Sequence, residues 1–284
     1  MPRNMTDPEK QRFLGYFPPM DVDNQPRVTG EATPLGTLPR YNCIAWSVGI
    51  TNRWINPLQD LHRWDFFYAI FHLERDDDQG TVALWRRLGR YTHACRTTAQ
   101  HGFHWESKCG SDLRVLHELD EMTGSSYGAV FTYYRPEVVA AVPAPGTFAP
   151  SPLTAAPAVI PQEHLAALQK LTDKVPAPVN ETFESLFAAW KATWFTGPTA
   201  ESSDTRDCAA GYAFEKLLAM GPEILPLVAT KIADPDNFVA MQLYDDLQPD
   251  QEARIVHEPG DPIIATGEQG RAQQTIAAYL GRKP

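Results

Sequence analysis

The chain has 284 residues, 43% of them hydrophobic and 21% charged, a length that allows two domains and a sizeable core and a composition ordinary for a soluble globular protein. Its net charge of −10 is uneven: residues 1 to 135 hold 15 Lys/Arg against 16 Asp/Glu, whereas residues 136 to 284 hold 10 against 19. The acidity of the second half argues against nucleic acid or an anionic membrane as its partner, while the near-neutral first half leaves the substrate's charge open. No apolar run reaches the length of a membrane span, and the first nine residues are polar. Four cysteines, Cys43, Cys95, Cys109 and Cys208, show no C-x-x-C pair and no small disulfide framework. A cytoplasmic protein in a reducing compartment is therefore expected.

Residues 1 to 38 carry six prolines and no sustained period, which predicts an irregular N-terminal arm that touches the rest through Phe13, Leu14, Tyr16 and Phe17. Asn42 has the character of a helix cap, so a short helix is expected from there to about Gly49. The run from Leu61 to Glu74 is apolar almost all round and predicts a buried helix, with a strand as the alternative. Asp76-Asp77-Asp78-Gln79-Gly80 reads as a turn, because its spacing lacks the alternating oxygen ligands of a calcium loop.

Val82 to Arg87 is ambiguous. Gly89 to Thr98 and Phe103 to Ser107 predict two strands joined at Gln100-His101-Gly102. Leu113 to Met122 has a mostly helical spacing closed by Gly124, and Tyr127 to Tyr134 has strong strand propensity. Residues 39 to 135 thus predict an α+β domain. Residues 136 to 161 contain seven prolines and read as a linker. Beyond it, Phe183, Leu186, Phe187, Trp190 and Trp194 mark the first stripe of an acidic helical domain over 162 to 284, with further helices near Tyr212 to Met220, Ile224 to Ala233, Phe238 to Leu247 and Gln269 to Leu280. No repeat period is present, so this second domain is expected to be compact rather than a solenoid.

Cys43 follows the capping Asn42, where the positive end of a helix dipole lowers a thiol's pKa and makes it a nucleophile. The plainer alternative is a buried small hydrophobe. His93, on a predicted strand, is the candidate base: its imidazole would take the thiol proton and later protonate a leaving group. A third polar group should orient that ring, and His104, eleven residues on, or Glu106 on the same strand face are the candidates. The Cys43 backbone N–H would serve as oxyanion donor, with Tyr41 or Asn42 adding a side chain and Trp46 beside them. Ser107 and Lys108 read either as turn residues or as substrate contacts, and His117 as a residue pinning its helix to the sheet. His101, His104, Cys109 and His117 are ligand types that suit zinc, but their separations of 3, 5 and 8 match no standard site, so neither metal nor other cofactor is expected.

The series Asn42-Cys43-Ile44-Ala45-Trp46, Thr92-His93-Ala94, Ser107-Lys108-Cys109-Gly110 and Tyr127-Gly128 resembles an uncharacterised family of bacteria and fungi with N-C-I-A-W, T-H-A, S-K-x-G and late Y-G motifs, over about residues 38 to 135. The order, a cysteine at a helix start and then a histidine on a strand, also resembles the core of papain-like cysteine hydrolases of the NlpC/P60 type. In those enzymes the third residue lies on the next strand, where this chain has His104. The resemblance implies a papain-like fold and a cysteine hydrolase acting on a peptide or other amide through a thioester. An amide-forming acyltransferase on the same site, or a catalytically silent module that binds a protein partner through its acidic helical domain, are the alternatives.

Overall fold

The computed structural model describes residues 1–34, 36–37, 40–56, 59–137, 159–250, 253–255 and 261–281, so most of the expected linker lies outside the described residues. The first half is built on one antiparallel sheet. In chain order its strands are β1 (Val28–Gly30), β2 (Leu73–Asp76), β3 (Val82–Arg87), β4 (Arg90–Thr97), β5 (Trp105–Lys108), β6 (Arg114–His117) and β7 (Ala129–Pro136). They lie side by side as β1-β6-β5-β4-β3-β7-β2, every neighbouring pair antiparallel. The expected α+β class is therefore correct.

Three helices cover this sheet: α1 (Asp7–Tyr16), α2 (Cys43–Ser47) and α3 (Leu61–Ala69). The N-terminal arm is more regular than its prolines suggest. Thr6 and Glu9 form a capping box and Pro8 sits in the first turn, where its missing N–H would have no helical partner anyway. Phe13 and Phe17 from this region are fully buried, so the expected contact with the rest of the protein is real. Helix α3 realises the first nine residues of the helix expected from Leu61 to Glu74, started by the Asp60 side chain accepting from the His62 N–H; it buries one face through Trp64, Phe67 and Tyr68, and Leu73 and Glu74 belong to β2 instead.

The helix expected over Leu113 to Met122 is not there. Residues 114–117 form β6, and only Asp120–Met122 make a short 3-10 turn. Leu113, Val115 and Leu116 are all buried, and a strand covered on both faces presents the same continuous apolar run as a buried helix. The ambiguous Val82–Arg87 becomes β3 for the same reason, with its first four residues buried between α3 on one side and α1 on the other.

The second half forms α4 (Gln162–Thr172), α5 (Ala177–Lys191), α6 (Tyr212–Ala219), α7 (Leu225–Ile232), α8 (Ala240–Leu247) and α9 (Gly267–Tyr279). Phe183, Phe187, Trp190 and Trp194 do form the core of these helices. Trp54, from the sheet half, joins that core, packing its ring 4.9 Å from Phe195 and 5.1 Å from Phe238. Its backbone is clamped on both sides: the Trp54 N–H donates to Gln269 Oε1 and its carbonyl accepts from the Glu268 N–H. Arg40 reaches across in the same way, its Nε 2.6 Å from Asp236, which also pairs with Lys191. Among the described residues no helix is long and apolar enough to cross a membrane.

The β1–β6 edge depends on a buried ion pair. Arg27 is fully buried, donates to both oxygens of Glu121 at 2.8 and 2.6 Å and to the Leu116 carbonyl, and lies over the Phe103 ring. Removing one partner strands a buried charge, so Arg27→Met is expected to lower unfolding stability by about 3–5 kcal/mol. Arg27→Met combined with Glu121→Met should recover much of that loss. Urea unfolding of Arg27→Met, Glu121→Met and the double variant measures both; a double variant as unstable as the sum of its single changes would contradict this account.

Candidate functional site

The site is assembled where β4, β5 and β6 lie side by side. The registers Trp85 with His93, Ala83 with Cys95, Trp105 with His117 and Ser107 with Val115 place His93, Cys95, Ser107 and His117 on one face of the sheet. This is the face that α1 covers through Phe13 and Phe17. Helix α2 lies against the other face, with Ala45 packed in the same cluster as Leu84 and Ala94.

On the α1 face a polar relay crosses three strands. His93 Nε2 is 2.8 Å from Ser107 Oγ, which is 2.7 Å from His117 Nε2, and His117 Nδ1 is 2.8 Å from the Glu118 carbonyl. All three side chains are fully buried. Burial holds the His117 pKa down to about 4 and, with His117 beside it, holds that of His93 well below its ordinary value, so both rings are neutral near neutral pH. The tautomers then follow from one anchored end. A carbonyl can only accept, so His117 carries its proton on Nδ1 and offers a lone pair at Nε2. Ser107 has a single proton and gives it to that lone pair, which leaves its oxygen to accept from His93 Nε2–H. The remaining nitrogen of His93, Nδ1, is therefore a bare lone pair; it is buried and has no hydrogen-bond partner. The ring itself is fixed by Tyr127, stacked 3.8 Å away at 8°.

Asn42 caps α2 as expected, its Oδ1 accepting from the Ala45 N–H at 3.2 Å, and so sets Cys43 at the first position of the helix. Cys43 is fully buried. Its Sγ lies 2.9 Å from Ser203 Oγ and also meets the backbone N–H of Ala94, the residue after His93, as well as those of Cys43 and Ile44. The expected helix-start donors are thus present. Burial outweighs them and pushes the thiol up to about 11, so in this closed arrangement Cys43 is a thiol and not a thiolate. The structure brings Cys43 to the His93–Ala94 peptide, but among the described residues no hydrogen bond joins Sγ to the His93 ring.

The other expected residues separate into roles. His104 is mostly exposed, its Nδ1 2.9 Å from Glu118, and has no contact with the relay. Glu106 faces α2, between Arg114 at 3.2 Å and Arg96 at 3.7 Å, and those two guanidinium groups lie over the Trp46 ring at 4.1 and 3.6 Å. Neither occupies the third position expected for it; Ser107, read from sequence as a turn residue or a substrate contact, holds His93 instead. The hairpin register explains the difference, since Arg96 pairs with Glu106 and the His93 face then takes Ser107. Lys108 is buried, donates to the Asp112 carbonyl and lies over the Tyr41 ring at 5.6 Å; desolvation lowers it to about 8. Tyr41 packs on Trp46, and among the described residues no hydrogen bond joins it to Cys43. His117 does pin an element to the sheet, as a strand and not as a helix. Among the described residues no group of three or more His, Cys, Asp or Glu side chains is placed to hold a metal ion.

Two contributors, Trp54 and Glu201, carry no sequence signal at this distance, whereas Asn42 is one of the two side-chain donors expected. Trp54 Nε1 and Asn42 Nδ2 converge on the Ser203 carbonyl at 2.9 and 3.4 Å, making a two-donor pocket for a carbonyl oxygen beside the thiol. Glu201, buried on the outer side of the site, is raised to about 7, mainly by burial with Asp112 and Asp207 adding to it. Outside Glu201, a cleft of about 500 Å³ runs between Tyr16, Arg90, Ser126 and Asp207.

Residues 28–135 match a family described as a domain of unknown function, DUF7689. No curated protein and no solved structure matches the chain.

The neutral buried histidines make stability acid-sensitive. His117 titrates at about 4 in the folded protein and near 6.5 when unfolded, so the unfolded chain binds more protons in that interval. Its contribution is fully present above the upper value and is lost as the pH falls toward the lower one, by about 3 kcal/mol from this residue alone. His117→Gln should flatten the fall in urea midpoint across that interval, whatever its effect on stability at neutral pH. An unchanged slope would show that the buried neutral imidazole is not its source.

Proposed function

We propose that this protein is a cysteine-dependent acyl-transfer enzyme of papain-like type that hydrolyses a peptide or other amide, with Cys43 as nucleophile and His93 as base. The observation that carries the reading is the bare Nδ1 of His93: a buried basic nitrogen without a partner, on a ring held by Ser107, His117 and Tyr127, one residue from the backbone that the Cys43 thiol touches.

In the proposed reaction the site opens so that Sγ reaches His93 Nδ1, with which it shares no hydrogen bond in the closed arrangement; Nδ1 takes the Cys43 proton and the thiolate attacks the amide carbon. A carbon–sulfur bond forms while Trp54 Nε1, Asn42 Nδ2 and the Cys43 N–H stabilise the oxyanion. The imidazolium returns its proton to the leaving nitrogen, the carbon–nitrogen bond breaks, and an amine departs from a Cys43 thioester. Water, deprotonated by His93, attacks the thioester; the carbon–sulfur bond breaks and the thiol regains its proton, giving acid and amine. An amine in place of water would give the acyltransferase outcome on the same residues. Ser107 and His117 act as positioning residues: they keep the His93 proton on Nε2 and its lone pair on Nδ1.

Full burial of Cys43 with its raised pKa favours a second reading, a silent module that binds a protein partner through its acidic helices. The pH profile of Cys43 alkylation by iodoacetamide separates the two, because its shape reports the exposed thiol even when exposure is rare. The catalytic reading expects a thiolate well below the ordinary thiol range, reverting in His93→Ala and partly in Ser107→Ala. Against a panel of peptidyl amides and thioesters, Cys43→Ala should abolish turnover and His93→Ala lower it by about 10²–10⁴-fold. An ordinary thiol profile in both proteins, with no turnover, would leave the silent module as the better reading.

A further inference from the structure

The thiol is sealed by a piece of its own chain. Residues 200–204 cross the mouth of the site in irregular backbone before Thr205–Cys208 turn into a short 3-10 helix. Glu201, Ser203, Asp204 and Thr205 are all buried there. The sheet half holds this segment through its main chain and through one ion pair, Arg90 with Asp204 at 2.6 Å. The Ala200 carbonyl accepts from the Ser111 N–H at 3.0 Å and from Ser111 Oγ at 3.1 Å. The Glu201 carbonyl accepts from Tyr127 Oη at 3.0 Å, and the Ser203 carbonyl from Trp54 Nε1 and Asn42 Nδ2. Three of its carbonyls are therefore read by donors on the sheet half, and the third sits in the two-donor pocket beside Cys43.

The fit is close as well as polar. Gly110, the glycine of the S-K-x-G motif, has φ +50, and a Cβ there would lie 2.6 Å from each of Ala200 O, Glu201 C and Ser202 O. A glycine is needed so that the incoming chain can approach the backbone of the site. The side chains of the segment are served unevenly: Asp204 pairs with Arg90 at 2.6 Å and Ser202 Oγ donates to Asp207 at 2.7 Å, whereas Glu201 is left short of partners. Glu201 Oε2 is buried without a partner, and its other oxygen has a 3.3 Å contact from Ser126. A segment gripped by its backbone and poorly satisfied in a buried side chain is suited to being exchanged for another.

We infer that residues 200–204 occupy a peptide-binding cleft as an internal stand-in for substrate, so that the substrate class is a peptide recognised through its main-chain carbonyls and entry requires this segment to leave. The inference rests on the acyl-transfer reading of Cys43 for what happens once the peptide is bound. The Ser203 carbonyl then marks where the substrate's acyl oxygen sits, and the Ser203 hydroxyl covers the sulfur that must be freed.

The test uses the full chain and reads the rate at which iodoacetamide labels Cys43 near neutral pH. In Gly110→Ala, and separately in Ser203→Lys, labelling should rise by about tenfold or more over wild type while circular dichroism shows a folded protein. A free peptide with the sequence of residues 200–207, capped at both ends, should slow it again at millimolar concentration, and a scrambled peptide should not. Cys43 as inert in either folded variant as in wild type would overturn the inference, as would equal protection or no protection by both peptides. Should neither variant fold, hydrogen exchange in wild type decides: the segment's amides and Cys43 must open together and more readily than the core of the sheet, and exposure of Cys43 only on global unfolding refutes the gate. Failure of the catalytic reading looks different, since Cys43 would then be released on schedule but keep an ordinary thiol profile unmoved by His93→Ala.

Discussion

The side chain of Asn42 ties three parts of the chain to one point. Its oxygen caps α2 at Ala45 and takes a longer contact from Ile55 N–H, while its nitrogen donates to the carbonyls of Ile55 and Ser203. Being fully buried, it must satisfy both ends of its amide, and only this arrangement of helix start, 54–56 loop and 200–204 segment does so. The position of Cys43, the direction of the Trp54 indole and the docking of the second half on the first all follow from that one requirement.

The two faces of the sheet solve different problems with the same strands. Toward α2, charge is neutralised locally: Glu106 lies between Arg96 and Arg114, and both cations cover Trp46. Toward α1, His93, Ser107 and His117 satisfy one another as neutral groups. A network with one donor fixed at the Glu118 carbonyl has only one consistent set of proton positions, and that set leaves an open base at its far end. The end is left over because the relay runs out of partners.

The helical half is more than an appendage to the sheet. It takes Trp54 into its core, pairs Asp236 with Arg40 and returns its own residues 200–205 to the mouth of the site. Its acidity, conspicuous in the sequence, has partners inside the molecule at several points: Asp236 with Arg40 and Lys191, Asp204 with Arg90, Asp245 with Arg271. Two of these pairs, Asp236 with Arg40 and Asp204 with Arg90, join the two halves, so part of that charge is spent on holding them together.

Local chemistry alone determined a good deal of this protein. The Asn42 cap, the helix starting at Leu61, the turn at Gln100-His101-Gly102, the strand after Tyr127 and the aromatic stripe from Phe183 to Trp194 are each dictated by side chains within a few residues of one another, and they are present as expected. Cys43 at a helix start and His93 on a strand belong to the same legible part. What only the tertiary structure decided is everything that depends on register or on distant partners. A strand buried on both faces has no period, so β6 could pass for a helix; one register step moved the third position from His104 or Glu106 to Ser107. No local rule could show that Trp54 and Ser203, 149 residues apart, would meet over Cys43 through a 2.9 Å hydrogen bond. Such contacts are fixed by the need to satisfy buried polar groups once the two halves have packed, and that need exists only in the folded chain.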